Sequence, residues 1–246
     1  GNVNALQLFV IGAMLAVATR NRIAAAILLG ALLAFKPNLL FVLVLLIASR
    51  VIARDWARLR LELLGGAVGG VAAFAIASIS YGSPRVWLQW ITAANQFWHR
   101  LPSRMERNVA PALSWFNAYG TWVSYAIAAL LIATVCIAIA KKKRADDLLI
   151  VSAGLLVYLL SATVVWLHYM VLAIPAAIAL LRWRGTAVVA IIALLLIAEE
   201  PFELVTKSQA FPIETWLITP SLLALFACVV WKIATSDHDP AVAARG

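Results

Sequence analysis

Polar residues are sparse in this chain, and their positions suggest what chemistry it could perform. Lys36-Pro37-Asn38 interrupts an apolar stretch with a single cation. Arg104 and Arg107 stand three apart in a polar segment that continues to Asn108. His168 and Tyr169 separate two apolar runs, and Asn2 and Asn4 open the first one. Cationic side chains can hold a phosphate, and histidine can also move a proton near neutral pH. Asparagine amides and a tyrosine hydroxyl can both donate and accept hydrogen bonds. Each group also has a plainer use. Lys36 could snorkel from a turn, Arg104 and Arg107 could touch lipid headgroups, and His168 could cap a helix hairpin. Glu199-Glu200-Pro201 reads as a solvated tip. No P-loop, GxGxxG, HExxH, CxxC or GxSxG occurs, so no nucleotide, metal, other cofactor or serine-hydrolase chemistry is expected. Cys136 and Cys228 lie inside apolar runs and support neither a disulfide framework nor a metal site.

The elements that position these groups follow from composition. Of 246 residues, 64% are hydrophobic and 13% charged. Soluble domains run at about 45–50% apolar and about 25% charged, so a soluble fold is excluded. Mean hydropathy is +0.95. The fold class expected is all-α, a polytopic membrane protein forming one integral domain over 1–246. The net charge of +9 would suggest nucleic acid in a soluble protein. Here it fits the Lys and Arg of cytoplasmic loops, and no nucleic-acid partner is expected.

Apolar runs cover approximately 5–19, 23–35, 38–49, 63–80, 119–140, 147–167, 169–181, 186–198 and 215–233. Basic clusters punctuate them at Arg20/Arg22, Arg50–Arg60, Lys141–Arg144, Arg182/Arg184 and Lys232. Placing every cluster in the cytoplasm requires an even number of crossings between neighbours, and the runs supply two each time. Only Lys36, Arg85, Arg100, Arg104, Arg107 and Lys207 then lie outside. This predicts about nine crossings of the cytoplasmic membrane, with the N-terminus outside and a cytoplasmic tail at 234–246. Reading 23–49 as one span would instead bury Lys36 at mid-bilayer, at a cost of several kcal/mol. Lys36-Pro37-Asn38 is therefore expected at the tip between two short helices.

Four runs have only 12 or 13 residues, against about 20 needed to cross the hydrocarbon core. Their tips should stop below the outer surface, where polar backbone is tolerated only in a cavity or inside protein. This predicts a polar cavity open to the outside, bordered by Asn2/Asn4, Lys36/Asn38, His168 and Glu199/Glu200. The outer loop, 81–118, should contain an interfacial amphipathic helix. Ser83-Pro84 reads as its start, and Trp87, Trp90, Ile91, Ala94, Trp98 and Leu101 repeat at helical steps. Gly65-Gly66 and Gly69-Gly70 form small-xxx-small pairs suited to close helix packing in lipid.

Three stretches together resemble the DUF2029 family, glycosyltransferase family 87 of the GT-C superfamily. They are Gly1-Asn2-Val3-Asn4 opening a helix, Lys36-Pro37 after a short hydrophobic hairpin, and Trp166-Leu167-His168-Tyr169 before another helix ending near Pro175. Asn2 stands where that family usually has Gln, and Asn108-Val109-Ala110 only partly matches its N-Q-S-like loop. The resemblance spans residue 1 to roughly 180. It implies a GT-C-like fold and transfer of a sugar, often mannose or arabinose, from a polyprenyl-phosphate donor. The acceptor would be a lipid or glycan outside the cytoplasmic membrane. Lys36, Arg104, Arg107 and His168 become phosphate-side candidates, and Asn2, Asn4, Asn108 and Tyr169 substrate-binding candidates. The family's catalytic Asp would precede Gly1, so no base is assigned within this chain. The chain alone is expected to be the incomplete C-terminal portion of such an enzyme. Two rival classes are a transporter or flippase for lipid-linked substrates, which inverted repeats would favour, and a non-catalytic membrane subunit. Substrate turnover separates the enzyme from both.

Overall fold

The computed structural model describes residues 3–100, 109–112, 121–142, 145–165, 167–198 and 211–236. Within them the chain is all-helical. The helices are α1 (Val3–Ala18), α2 (Arg22–Phe35), α3 (Leu40–Ala53), α4 (Trp56–Ser80), α5 (Arg85–Arg100), α6 (Thr121–Lys142), α7 (Asp147–Ser161), α8 (Ile174–Leu180), α9 (Arg184–Ile197) and α10 (Phe211–Thr235). Three stretches are long and apolar enough to cross a membrane: Trp56–Ser80, Trp122–Lys142 and Leu217–Thr235. The other apolar helices are shorter. At 1.5 Å per residue, the 14 residues of α2 extend only about 21 Å, short of a hydrocarbon core about 30 Å thick.

Local chemistry explains most boundaries. Asn21 caps α2 by accepting from the Ala24 N–H (3.0 Å). Asp55 and Asp146 do the same for α4 and α7, accepting from Arg58 and Leu148. Ser83 accepts from the Arg85 N–H (3.2 Å) at the start of α5, as its sequence suggests. The run expected at 147–167 stops being α-helical at Ser161. The next begins as a seven-residue 3₁₀ segment, Leu167–Ala173, before α8. Pro175 explains the change, because it has no N–H and its ring would collide with the carbonyl four residues back. It sits instead in the first turn of α8, where an N–H has no partner in any case.

The bundle has two ends. Lys36, Asn38, Tyr158 and Tyr169 gather at one, called here the tip end. At the other, the basic end, Arg50 and Arg58 meet Glu62 and Asp147. Arg182 pairs with Asp146 there, and Lys232 lies 4.7 Å from the centre of the Trp183 ring. α7 is the central helix, with only Asp147, Leu148 and Tyr158 not fully buried, and packs on α3, α6, α8 and α10.

Two close approaches depend on glycine. A Cβ on Gly30 would lie 1.9 Å from the Gly66 carbonyl oxygen, and one on Gly69 would lie 2.0 Å from that of Ile27. These positions press α2 and α4 together, as the small-residue pairs suggest. A Cβ on Gly154 would lie 2.6 Å from the Val42 Cα, so α7 and α3 are equally close.

Lys36 divides two helices, as its sequence context suggests. Arg22 at the start of α2 and Arg50 near the end of α3 line the same cavity. Were residues 22–50 one straight helix, these would stand about 42 Å apart. The chain therefore reverses at Lys36, where Leu39 N–H donates to the Lys36 carbonyl (3.1 Å) in a 3₁₀ turn, Pro37–Leu39.

Candidate functional site

α1 carries polar residues on a face that the fold buries. Asn4, Gln7, Ile11 and Met14 follow helical spacing and are all 5% exposed or less. Polar groups on a buried face must find partners or cost free energy. Gln7 Nε2 donates to Asn38 Oδ1 (3.2 Å), joining α1 to the turn after Lys36. The Asn38 side chain also hydrogen-bonds the Tyr158 hydroxyl. Tyr158 stands 6.2 Å from Tyr169, ring centre to ring centre, and the His168 ring meets Tyr169 edge-on at 4.9 Å. Lys36 Nζ lies 5.4 Å from the Tyr169 ring centre, a cation–π contact. Four separate stretches of sequence thus meet at one end of the bundle.

Electrostatically this cluster is unbalanced. Asp55, Glu62, Asp146 and Asp147, the carboxylates whose side chains are described, all lie at the basic end. Lys36 has no ion pair among the described residues, and partial burial pushes its ammonium below the usual lysine range. Gln7 Oε1 is buried without a hydrogen-bond partner among the described residues. A bound phosphate would offset the desolvation of Lys36, and a hydroxyl or amide donor would complete Gln7.

Lys36, His168 and Tyr169 lie together at the tip end, His168 being exposed and Lys36 half-buried. Asn4 is buried on the α1 face that also carries Gln7. Asn2, Arg104, Arg107 and Asn108 lie outside the described residues, as do Glu199 and Glu200. The residues after Asn108 reach the same end: Val109 and Ala110 are buried, and the Val109 N–H donates to the Val165 carbonyl (2.8 Å). Sequence reasoning missed Gln7 and Tyr158 as site members. For Gln7 a signal existed, since it falls three residues after Asn4 on an otherwise apolar helix. Tyr158 sits inside an apolar run, and only the fold brings it to Asn38.

The basic end is built differently. Arg50, with its side chain 5% exposed, contacts Glu62 (3.1 Å) and Asp147 (2.7 Å). Arg58 contacts the same two carboxylates, Glu62 at 2.6 Å. Two arginines and two carboxylates close a ring that ties α3, α4 and α7 together. Part of the Arg50–Arg60 cluster, expected as loop charge, is therefore internal cross-linking.

No family model matches the chain, and no curated protein or solved structure matches it.

Proposed function

We propose that the protein is a membrane glycosyltransferase of the GT-C type, with the tip end as its phosphate-side site. It would transfer a sugar from a polyprenyl-phosphate donor to a lipid or glycan acceptor on the extracytoplasmic side of the cytoplasmic membrane. The observation that carries this reading is the meeting of Lys36, Asn38, His168 and Tyr169 with Gln7 of α1. Two motifs behind the family resemblance, far apart in sequence, contribute to one cluster whose lysine has no carboxylate partner among the described residues. About nine crossings would place this cluster outside and the paired arginines in the cytoplasm.

In the proposed reaction the bond between the sugar anomeric carbon and the phosphate oxygen breaks. Its electron pair leaves with the lipid phosphate, and the acceptor hydroxyl oxygen bonds to the anomeric carbon. Lys36 would stabilise the charge growing on the departing phosphate, an interaction stronger in the transition state than in the bound donor. His168 and Tyr169 would hydrogen-bond phosphate oxygens, and Asn4, Gln7 and Asn38 would hold the walls of the site in register. The acceptor proton must pass to a base within hydrogen-bond reach. No described carboxylate stands at the tip end, so that role is assigned to none of them.

Membranes carrying the intact protein, supplied with polyprenyl-phosphate sugar and a glycolipid acceptor extract, test the reading. Lys36→Ala and His168→Ala should each lower transfer at least about tenfold, roughly 1.4 kcal/mol of transition-state stabilisation, at unchanged protein level. Wild-type turnover in both variants would remove these residues from the site. Absence of any sugar transfer by the wild-type protein would favour a transporter or a non-catalytic subunit.

A further inference from the structure

A second feature runs along α2 from the basic end and does not depend on sugar transfer. α2 packs on α4 and α1, whereas α3 packs on α7 and α6. Between α2 and α3 is a cavity of about 460 Å³, lined also by α1, α4 and the first turns of α7. That volume lies within the range of about 300–1,000 Å³ seen for ligand sites.

Its shape follows from the sequence. Along α2 the lining runs from Arg22 to Ala34, about 18 Å by helix rise. The space is therefore elongated along α2, a form that a linear hydrocarbon chain can fill. Small residues leave the space. The glycines of α4 divide into two sets: Gly65 and Gly69 press on α2, but a Cβ on Gly66 or Gly70 would meet its nearest neighbour at 3.8 or 3.7 Å, an ordinary contact. Helix packing does not require glycine at Gly66 and Gly70, and both line the cavity. Most of the wall is apolar, and left empty that part of the lining loses its packing partners.

The mouth supplies charge. Arg22, Arg50 and Arg58 stand there with Glu62 and Asp147, three cations against two carboxylates. Arg50 and Arg58 each engage both carboxylates. Arg22 is exposed at the first position of α2 and has no carboxylate partner among the described residues. One net positive charge at the open end of an apolar bore suits an anionic amphiphile better than a zwitterionic one.

We propose that this cavity holds one acyl chain of an anionic phospholipid from the surrounding bilayer, with the lipid phosphate on Arg22. The chain would fill the space between α2 and α3 that their side chains leave open.

Photolabelling tests this. The whole chain is reconstituted into phosphatidylcholine vesicles doped with phosphatidylglycerol bearing a diazirine near the end of one acyl chain. A matched phosphatidylcholine probe is run in parallel, and adducts are located by peptide mass spectrometry. Adducts should fall on residues 25–34 of α2 and on Gly66, Ala67 and Gly70 of α4, at least about tenfold more with the phosphatidylglycerol probe. Gly70→Leu, which fills the bore, should lower cavity labelling at least about fivefold. Arg22→Gln, an exposed change that leaves the packing intact, should bring the two probes within about twofold of each other. Adducts confined to Leu64, Val68 and Val71 on the exposed face of α4 would overturn the proposal. So would equal labelling by the two probes in the wild type. Undiminished labelling in a Gly70→Leu variant with wild-type helicity and elution would do the same. Should Gly70→Leu fail to fold, the Arg22→Gln comparison decides.

Discussion

The two ends of the bundle treat charge in opposite ways. At the basic end, buried charge is matched, with Arg50 and Arg58 sharing Glu62 and Asp147; at the surface there Arg182 meets Asp146. At the tip end, Lys36 is half-buried over Tyr169 with no described carboxylate near it, and Gln7 Oε1 has no described partner. A matched set of charges satisfies itself and serves to join helices. A set unmatched among the described residues has a cation and an acceptor left to engage a ligand. The difference separates scaffold from candidate site without reference to any relative.

Substitutions sharpen this contrast, with the largest effect expected at the ring. Asp147→Ala leaves Arg50 buried without one of its two carboxylates, and should cost about 3 kcal/mol of stability in detergent unfolding. Lys36→Ala should change the same measurement by less than about 1 kcal/mol, because no ion pair is lost. A larger loss at Lys36 than at Asp147 would reverse the assignment of the two ends.

The glycines of α4 give the next effect. Gly69→Ala forces α2 and α4 apart and should cost about 2 kcal/mol, the overpacking range. Gly66→Ala, one turn earlier, where a Cβ would make an ordinary contact with the Ala26 carbonyl at 3.8 Å, should stay within about 0.5 kcal/mol. Equal effects would mean that the two glycine sets do not differ in role.

Not every cation at the basic end is engaged. Arg54 closes α3 with φ 57°, a left-handed conformation that disfavours side chains with a Cβ. Arg54→Gly should therefore raise stability by about 1 kcal/mol, read as a higher Tm. The smallest effect belongs to Arg182→Gln. Its pair with Asp146 is half-exposed and screened, so the loss should be under about 0.5 kcal/mol and should vanish at high salt.

How much of this was legible depends on the distance over which each feature acts. The reversal at Lys36, the cap at Ser83 and the close packing at Gly65 and Gly69 are local, set by charge, turn chemistry or the lack of a side chain. Each could be read from a few neighbouring residues. The ring was not legible: Arg50 and Asp147 are 97 residues apart, and basic residues beside an apolar run read as loop charge. The 3₁₀ segment before Pro175 was also missed, because apolar periodicity does not distinguish it from α-helix. At the candidate site, Lys36, His168 and Tyr169 stood out as polar residues between apolar runs. Gln7 and Tyr158 join them only because the fold turns those faces inward.

Sidedness tests the division of the molecule most directly. Cys136 and Cys228 are first replaced by serine, and single cysteines are then introduced as Lys36→Cys, His168→Cys, Arg60→Cys and Lys142→Cys. A membrane-impermeant thiol reagent is applied to intact cells and to inverted vesicles. Positions 36 and 168 should react from the outside only, and positions 60 and 142 from the cytoplasmic side only. Reaction of position 36 from the same side as position 60 would place Lys36 with the basic end and contradict the two-ended account.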